Sequence, residues 1–141
     1  MILLLLSLAC ATSDTAPQDE PAGALTQRGL YRVELAFTPE PPPLSRLFEV
    51  QATVRDARGG APVTDAVVAI DAQMPDHGHG MSTQPVNEPP PGCAEAPCTH
   101  PDGVYRTTGM KFHMPGRWTV SVDVQGPAGS DRAVIPYEMA P

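Results

Sequence analysis

Histidine and methionine are concentrated in one short stretch of the 141-residue chain. Two of the four histidines and two of the six methionines fall within residues 74–81, which read Met-Pro-Asp-His-Gly-His-Gly-Met. Thioether sulfur is a soft ligand that selects Cu(I), and imidazole binds Cu(II) and other late transition metals. Gly78 and Gly80 let the backbone turn sharply, so that neighbouring side chains can converge. The stretch predicts a metal site; the alternative is a solvated turn after a core-filling Met74.

A second stretch of the same composition follows at residues 110–116, which read Met-Lys-Phe-His-Met-Pro-Gly. Loops of a β-sandwich cluster at its two ends, so we expect the two stretches to meet at one end. Asp76 stands beside His77, where it either orients a ligand imidazole or serves as a turn residue. The sequence therefore offers one candidate centre that is built from two separate segments.

The composition limits the scaffold that can hold these segments. The chain has 18 prolines in 141 residues, against a usual level of about 5%. Interior proline removes a hydrogen bond and breaks a helix, so a mainly helical protein is excluded. The net charge of −7 argues against a nucleic-acid partner and against electrostatic docking on anionic lipid.

Apolar residues alternate with polar ones along most of the chain, which is the pattern of half-buried strands. The inward-facing sets are Tyr31, Val33, Leu35 and Phe37; Phe48, Val50, Ala52 and Val54; Val68, Ile70, Ala72 and Met74; and Trp118, Val120, Val122 and Val124. Gly103 to Thr108 and Arg132 to Met139 are further strands, and Pro136 places the last at a sheet edge. The pattern predicts an all-β protein, a single Ig-like antiparallel β-sandwich of about seven strands over residues 28–141, with a Pro-rich insert at 82–101.

The N-terminal residues read as an export signal. Residues 1–9 are MILLLLSLA, too short to span a bilayer core but of the length of a signal-peptide apolar region. Their junction with Cys10 resembles a bacterial lipoprotein signal, which is cut before a cysteine that then carries diacylglycerol. An ordinary secretory signal with an incidental Cys10 is the alternative. Residues 10–27 are predicted to be a disordered tether, and the protein to be extracytoplasmic and lipid-anchored to a bacterial membrane.

The chain has three cysteines, and an odd number in an exported protein needs an explanation. A lipidated Cys10 removes one and leaves Cys93 and Cys98, five residues apart in a Pro-rich loop. In an oxidising compartment we expect these two to form a disulfide. The alternative is a pair of soft metal ligands.

Residues 67–81 and 112–120 together resemble the signatures of the YtkA-like and FixH-like domains. In these families a strand ends in Met-Pro and a His-Gly-rich turn, and a later Phe-x-Met-x-Gly-x-Trp opens another alternating strand. The resemblance implies a small extracytoplasmic Ig-like sandwich, related to CopC-like copper carriers and associated with copper handling or cytochrome oxidase assembly. It implies copper ligands at Met74, His77, His79, Met81 and Met114, to which chemistry adds the neighbouring His113.

The residues and the resemblance together lead to two functional hypotheses. The first is a copper carrier or chaperone that passes its metal to an acceptor protein. The second is a metal-free interaction module, an accessory partner of a membrane complex such as a cytochrome oxidase or an efflux system. We do not expect an enzyme, because the sequence has no nucleophile elbow, phosphate loop or recognisable triad.

Overall fold

The structure is a computed structural model that describes residues 23–141, so the predicted signal peptide and Cys10 lie outside the described residues. Within this range the chain forms nine β-strands and one 3₁₀ turn, Pro101–Gly103. The strands are β1 (Ala24–Leu25), β2 (Tyr31–Thr38), β3 (Phe48–Asp56), β4 (Val67–Met74), β5 (His79–Gly80), β6 (Val86–Glu88), β7 (Val104–Met110), β8 (Gly116–Gly126) and β9 (Gly129–Met139). None of the helical structure in this range is long and apolar enough to cross a membrane.

The strands form two antiparallel sheets, with the order β1-β2-β3-β7-β6 in the first and β5-β4-β8-β9 in the second. This confirms the predicted all-β sandwich, and the six long strands coincide with the six alternating segments. The count exceeds seven because β1, β5 and β6 have only two or three residues each. Strands this short carry no alternation that a sequence pattern could detect.

The core lies between the sheets and is filled by the inward-facing residues of the long strands. The sets predicted from β3, β4 and β8 are buried throughout, and Trp118 is completely shielded from solvent, as expected. In β2 only Tyr31 and Val33 are buried, whereas Leu35 and Phe37 pack against the margin of the core. Two aromatic residues add to the predicted core: Phe112, whose ring is tilted against that of Trp118 with centroids 4.9 Å apart, and Tyr105, whose hydroxyl donates to the carbonyl of Val63 at 2.8 Å.

The pairing of β4 with β8 determines which segments meet at one end of the sandwich. The register runs antiparallel from Val67 opposite Gln125 to Gln73 opposite Thr119. The end of β4 at Met74 therefore lies beside the start of β8 at Gly116, and the His-Gly turn leaves β4 where the second His/Met segment enters β8. β9 is an edge strand of the same sheet, as Pro136 predicted.

Ordered structure begins inside the range 10–27 that the sequence assigned to the tether. β1 pairs with β2, and Thr26 is buried, where its hydroxyl accepts a hydrogen bond from the backbone N–H of Tyr31 at 3.0 Å. The carboxylate of Asp131 accepts backbone N–H groups of Arg28 and Leu30 at 3.0 and 3.2 Å. These contacts join the chain before residue 31 to β9 of the other sheet.

The Pro-rich insert contributes an edge strand to the first sheet. β6 pairs with β7, where Asn87 lies opposite Thr107, so the insert does more than lengthen a loop. Cys93 and Cys98 form a disulfide beyond β6, which confirms that prediction. Residues 96–100 line a cavity of about 770 Å³ together with residues 65–68 at the start of β4. The disulfide loop therefore lies at the opposite end of β4 from the His-Gly turn and does not cover it.

Candidate metal centre

The β4–β5 hairpin places two histidines at one end of the sandwich. The carbonyl of Met74 accepts the backbone N–H groups of His77 and Gly78 at 3.2 and 3.0 Å, which closes the turn. Gly78 has a φ of +69°, a left-handed conformation that glycine adopts without a steric penalty. The backbone N–H of Met81 then donates to the carbonyl of Ala72 at 3.2 Å. His77 and His79 are consequently exposed on a hairpin with a defined register.

The second segment is fixed by contacts on both of its sides. The indole Nε1 of Trp118 donates to the carbonyl of Met114 at 3.0 Å. From the other side, Ser45 donates through its backbone N–H to the carbonyl of Phe112 at 2.7 Å and through its hydroxyl to the carbonyl of His113 at 3.1 Å. These bonds hold His113 half-buried between the core and the surface.

Three of the four histidines lie next to one another at this end. The ring centroids of His77 and His79 are 5.7 Å apart, and those of His79 and His113 are 5.2 Å apart. The ring of His113 meets Trp118 edge-on at 5.3 Å. The two segments that the sequence singled out therefore converge through His79 and His113.

The Nδ1 atoms of His79 and His113 differ in their hydrogen bonding. Nδ1 of His79 lies 3.1 Å from the carbonyl oxygen of Gly80, and a bond to a carbonyl requires this nitrogen to carry the proton. The lone pair of His79 is then on Nε2. Nδ1 of His113 is buried and has no hydrogen-bond partner within residues 23–141. A buried imidazole nitrogen without a partner costs free energy unless a ligand satisfies it.

The environment of His113 favours its neutral form. Burial lowers the pKa of His113 below its ordinary value, and the nearby His79 and Lys111 lower it further. Neutral imidazole is the form that binds a metal ion. The side chain is thus available as a ligand at neutral pH.

The three methionines of the predicted ligand set occupy different environments. The Sδ atom of Met81 faces the second segment, where it accepts the backbone N–H of Lys111 at 3.4 Å. Met74 is 1% exposed and belongs to the core, below Gly116. Met114 is half-buried and packs against the core. Among these three methionines, Met81 joins the two His/Met segments through its sulfur atom.

Asp76 forms an ion pair with Arg117, the residue before Trp118. Its two carboxylate oxygens both lie 2.9 Å from Nη2 of the arginine, and Nε is 3.2 Å from one of them. Both side chains are exposed. This contact joins the His-Gly turn to the start of β8. Of the two roles that the sequence left open for Asp76, the structure places it in the turn, and its carboxylate contacts Arg117 rather than an imidazole.

Sequence reasoning missed two residues that shape this centre, Lys111 and Arg117. Each lies within the second stretch or directly after it, but neither is a ligand type, so composition gave no reason to select it. The signal that could have identified Arg117 is the register. Extending the pairing of β4 with β8 by three residues puts Asp76 beside the position that precedes Arg117.

The remaining histidine lies elsewhere. His100 stacks on Tyr105 with ring centroids 4.0 Å apart, near the disulfide loop at the opposite end of β4. Within residues 23–141, no group of three or more histidine, cysteine, aspartate and glutamate side chains is arranged to hold a metal ion.

Two antiparallel sheets with histidine and methionine at one end define this protein as a small β-sandwich domain with a candidate soft-metal centre. The YtkA-like family model matches residues 29–123. The chain therefore belongs to the YtkA-like family, as its two signature segments predicted. No curated protein and no solved structure matches the chain.

Proposed function

We propose that this protein is an extracytoplasmic copper carrier that binds its cargo through His79, His113 and Met81. The observation that carries the proposal is the meeting of His79 and His113, whose rings are 5.2 Å apart. Imidazoles that share a metal ion at bond lengths of about 2.0 Å have ring centroids about 5–6.5 Å apart. The buried, unpartnered Nδ1 of His113 supports a ligand at this position.

The donor set suits copper in particular. Two neutral imidazoles and a thioether are the ligand types that copper accepts, and oxygen-preferring cations such as Mg²⁺ and Ca²⁺ bind them poorly. Methionine also keeps its ligand properties in an oxidising compartment, where free thiols become disulfides, as Cys93 and Cys98 have done. His77 and Met114 lie at the margin of this set. We assign them to the capture and release of the copper ion and not to its coordination in the loaded protein.

Each side chain has a separate task in this proposal. The Gly80 carbonyl fixes the tautomer of His79, which leaves Nε2 for the metal ion. The Trp118 and Ser45 hydrogen bonds hold His113 in place, so little conformational entropy is lost on binding. Because the hairpin is exposed, an acceptor protein can reach the cargo from solvent. No reaction is catalysed; the metal ion is transferred by ligand exchange.

A copper titration monitored by tryptophan fluorescence tests the proposal directly. Trp118 is the single tryptophan of the chain and its ring lies 5.3 Å from that of His113. We expect copper to quench this fluorescence at one equivalent with a Kd below about 1 µM. The double variant His79→Ala/His113→Ala should weaken binding at least about tenfold.

His100→Gln is the matched control, because it removes the remaining histidine that lies at the other end of β4. It should bind copper like the wild type. The proposal fails if the wild type binds no tighter than micromolar, or if His100→Gln loses as much affinity as the double variant.

A metal-free interaction module is the second candidate function. The observation that favours it is that residues 23–141 hold no group of three or more histidine, cysteine and carboxylate ligands. In that case the His-Gly hairpin contacts a membrane complex such as a cytochrome oxidase or an efflux system. Binding to that complex would then persist in His79→Ala/His113→Ala without copper, whereas a carrier would lose its function.

The proposal includes a membrane anchor at Cys10. The sequence around this residue resembles a lipoprotein signal, and the oxidised Cys93–Cys98 pair agrees with a compartment outside the cytoplasm. An anchored carrier would collect copper near the membrane and deliver it to an acceptor there. The resemblance of residues 67–81 and 112–120 to FixH-like domains supports the same location.

A further inference from the structure

The metal centre proposed above lies beside a carboxylate that is already engaged. Asp76 lies in the hairpin turn three residues before His79, close enough in the chain to reach a site built around that histidine. Its two oxygens are instead held by the guanidinium of Arg117 through a fork of three contacts of 2.9–3.2 Å. A bidentate pair of this kind fixes the direction as well as the position of the carboxylate.

The consequence is a ligand set without negative charge. His79, His113 and Met81 are uncharged donors, and the charged groups that act on His113, His79 in its protonated form and Lys111, are both positive. A divalent cation gains more from a carboxylate ligand than a univalent one, because the Coulomb energy scales with the cation's charge. Carboxylate oxygen also favours harder cations, whereas thioether sulfur favours Cu(I).

We propose that Arg117 determines the selectivity of the centre by keeping Asp76 out of it, so that Cu(I) is bound in preference to divalent cations. This inference rests on the proposed function and specifies that the copper ion carried is Cu(I). Arg117 is a specificity-determining residue that does not touch the metal ion. Releasing Asp76 supplies the missing negative oxygen donor and turns the centre toward Zn²⁺ and Cu²⁺.

The test compares Cu(I) and Zn²⁺ affinities of the full chain carrying Arg117→Gln with those of the wild type. Cu(I) is measured by competition with a chromophoric Cu(I) chelator under reducing conditions, and Zn²⁺ with a zinc-sensitive dye. We expect Arg117→Gln to bind Zn²⁺ about fivefold more tightly, which is the most that an exposed ion pair holding Asp76 can withhold from the centre. The Cu(I) affinity should change by less than about threefold, because the three donors stay in place.

Two further variants assign the effect to Asp76. In Asp76→Asn/Arg117→Gln the gain in Zn²⁺ affinity should disappear, because the double variant has no carboxylate to release. Arg132→Gln removes the guanidinium of a matched exposed pair, Asp123–Arg132, elsewhere on β8 and β9, and should leave both affinities unchanged. A merely structural role for Arg117 would lower both affinities together.

The outcomes separate this inference from the proposed function. Cu(I) binding by the wild type together with an unchanged Zn²⁺ affinity in Arg117→Gln overturns the inference alone. A Zn²⁺ gain that survives in Asp76→Asn/Arg117→Gln overturns it as well. Absence of Cu(I) binding in the wild type overturns both.

Discussion

At the level of single residues, the methionines divide into packing and candidate ligand positions. Met74 lies on the inward face of β4 and is buried, while the sulfur of Met81 faces Lys111 across the two His/Met segments. The family resemblance implied copper ligation by both, although the alternation along β4 already placed Met74 on the inward-facing side. The burial of Met74 confirms that packing role.

Leucine substitutions of these two methionines should therefore have opposite effects. Met81→Leu removes a thioether at the candidate centre, and we expect a Cu(I) affinity at least about tenfold lower with little loss of stability. Met74→Leu keeps core volume and should retain the wild-type Cu(I) affinity, at a cost below about 1.5 kcal/mol. Chelator competition and denaturant unfolding measure the two quantities. Equal Cu(I) affinities in the two variants would contradict this division.

Gly116 begins β8 with a φ of +111°, a conformation that residues with a side chain rarely adopt. A Cβ atom there would also lie 3.4 Å from the terminal methyl of Met74. We expect Gly116→Ala to lower the free energy of unfolding by about 1–3 kcal/mol. Gly59→Ala is the control, because Gly59 has no positive φ and its Cβ would have an ordinary contact of 3.7 Å. Comparable losses in the two variants would argue against backbone strain at Gly116.

Asp131 gives the sandwich a predictable pH dependence. Burial raises the pKa of Asp131, but hydrogen bonds, including those from the backbone N–H groups of Arg28, Leu30 and Arg132, lower it more, so the pKa lies below its ordinary value. A depressed carboxylate pKa stabilises the folded state above the unfolded-state value near 3.8, and this contribution is lost as pH falls through the folded-state pKa.

Asp131→Asn should consequently be less stable than the wild type by about 1–2 kcal/mol at pH 7, with the difference narrowing below about pH 4. Urea unfolding at several pH values measures both curves. Asp65→Asn, at an exposed position, serves as the control and should follow the wild type throughout. A difference that is independent of pH would show that the charge of Asp131 is not the cause.

At the level of elements, hydrophobic alternation predicts long strands well and short ones poorly. The six long strands each bury one face, so period two is present in their own residues. β6 was not predicted because its three residues are exposed or half-buried and owe their conformation to pairing with β7. Pairing between distant segments is not encoded in the local pattern of either one.

The same reason limits what the sequence could establish about the candidate centre. The clustering of ligand types indicated both segments, and the sandwich topology brings them to one end. The contact of Phe112 with Phe48 and the ion pair of Asp76 with Arg117 each join residues more than 40 positions apart, and neither was foreseen. The amino-acid composition of a segment shows which ligand types it offers. The charged groups that surround those ligands depend on tertiary contacts.

The disulfide belongs to the insert and should be independent of the candidate centre. Cys93 and Cys98 close a loop with a sequence separation of five, and a loop of this size reduces unfolded-state entropy by an amount worth about 2 kcal/mol. We expect Cys93→Ser/Cys98→Ser to lose no more than that in stability and to bind copper normally, because the loop lies at the other end of β4. Unfolding curves and the copper titration test both statements. A large loss of copper affinity would place the cysteines in the centre after all.

At the level of the whole molecule, the proposed function requires a lipid anchor at Cys10. We expect cells expressing the protein to incorporate a palmitate analogue into it, and Cys10→Ser to abolish this label, because the thioether-linked diacylglycerol requires that sulfur. Cys93→Ser/Cys98→Ser controls for attachment to other cysteines and should keep the label. If the label persists in Cys10→Ser, Cys10 is not the lipid attachment site, and the interpretation as an ordinary secretory signal is preferred.

The central claim is that His79 and His113 hold copper in the protein as cells export it. Metal analysis of the full chain isolated from the extracytoplasmic fraction tests this most directly, with His79→Ala/His113→Ala and His100→Gln prepared in parallel. The account predicts about one copper per chain in the wild type and in His100→Gln, and less than about a tenth of that in the double variant. Equal copper in all three proteins, or a wild type without copper, would contradict it.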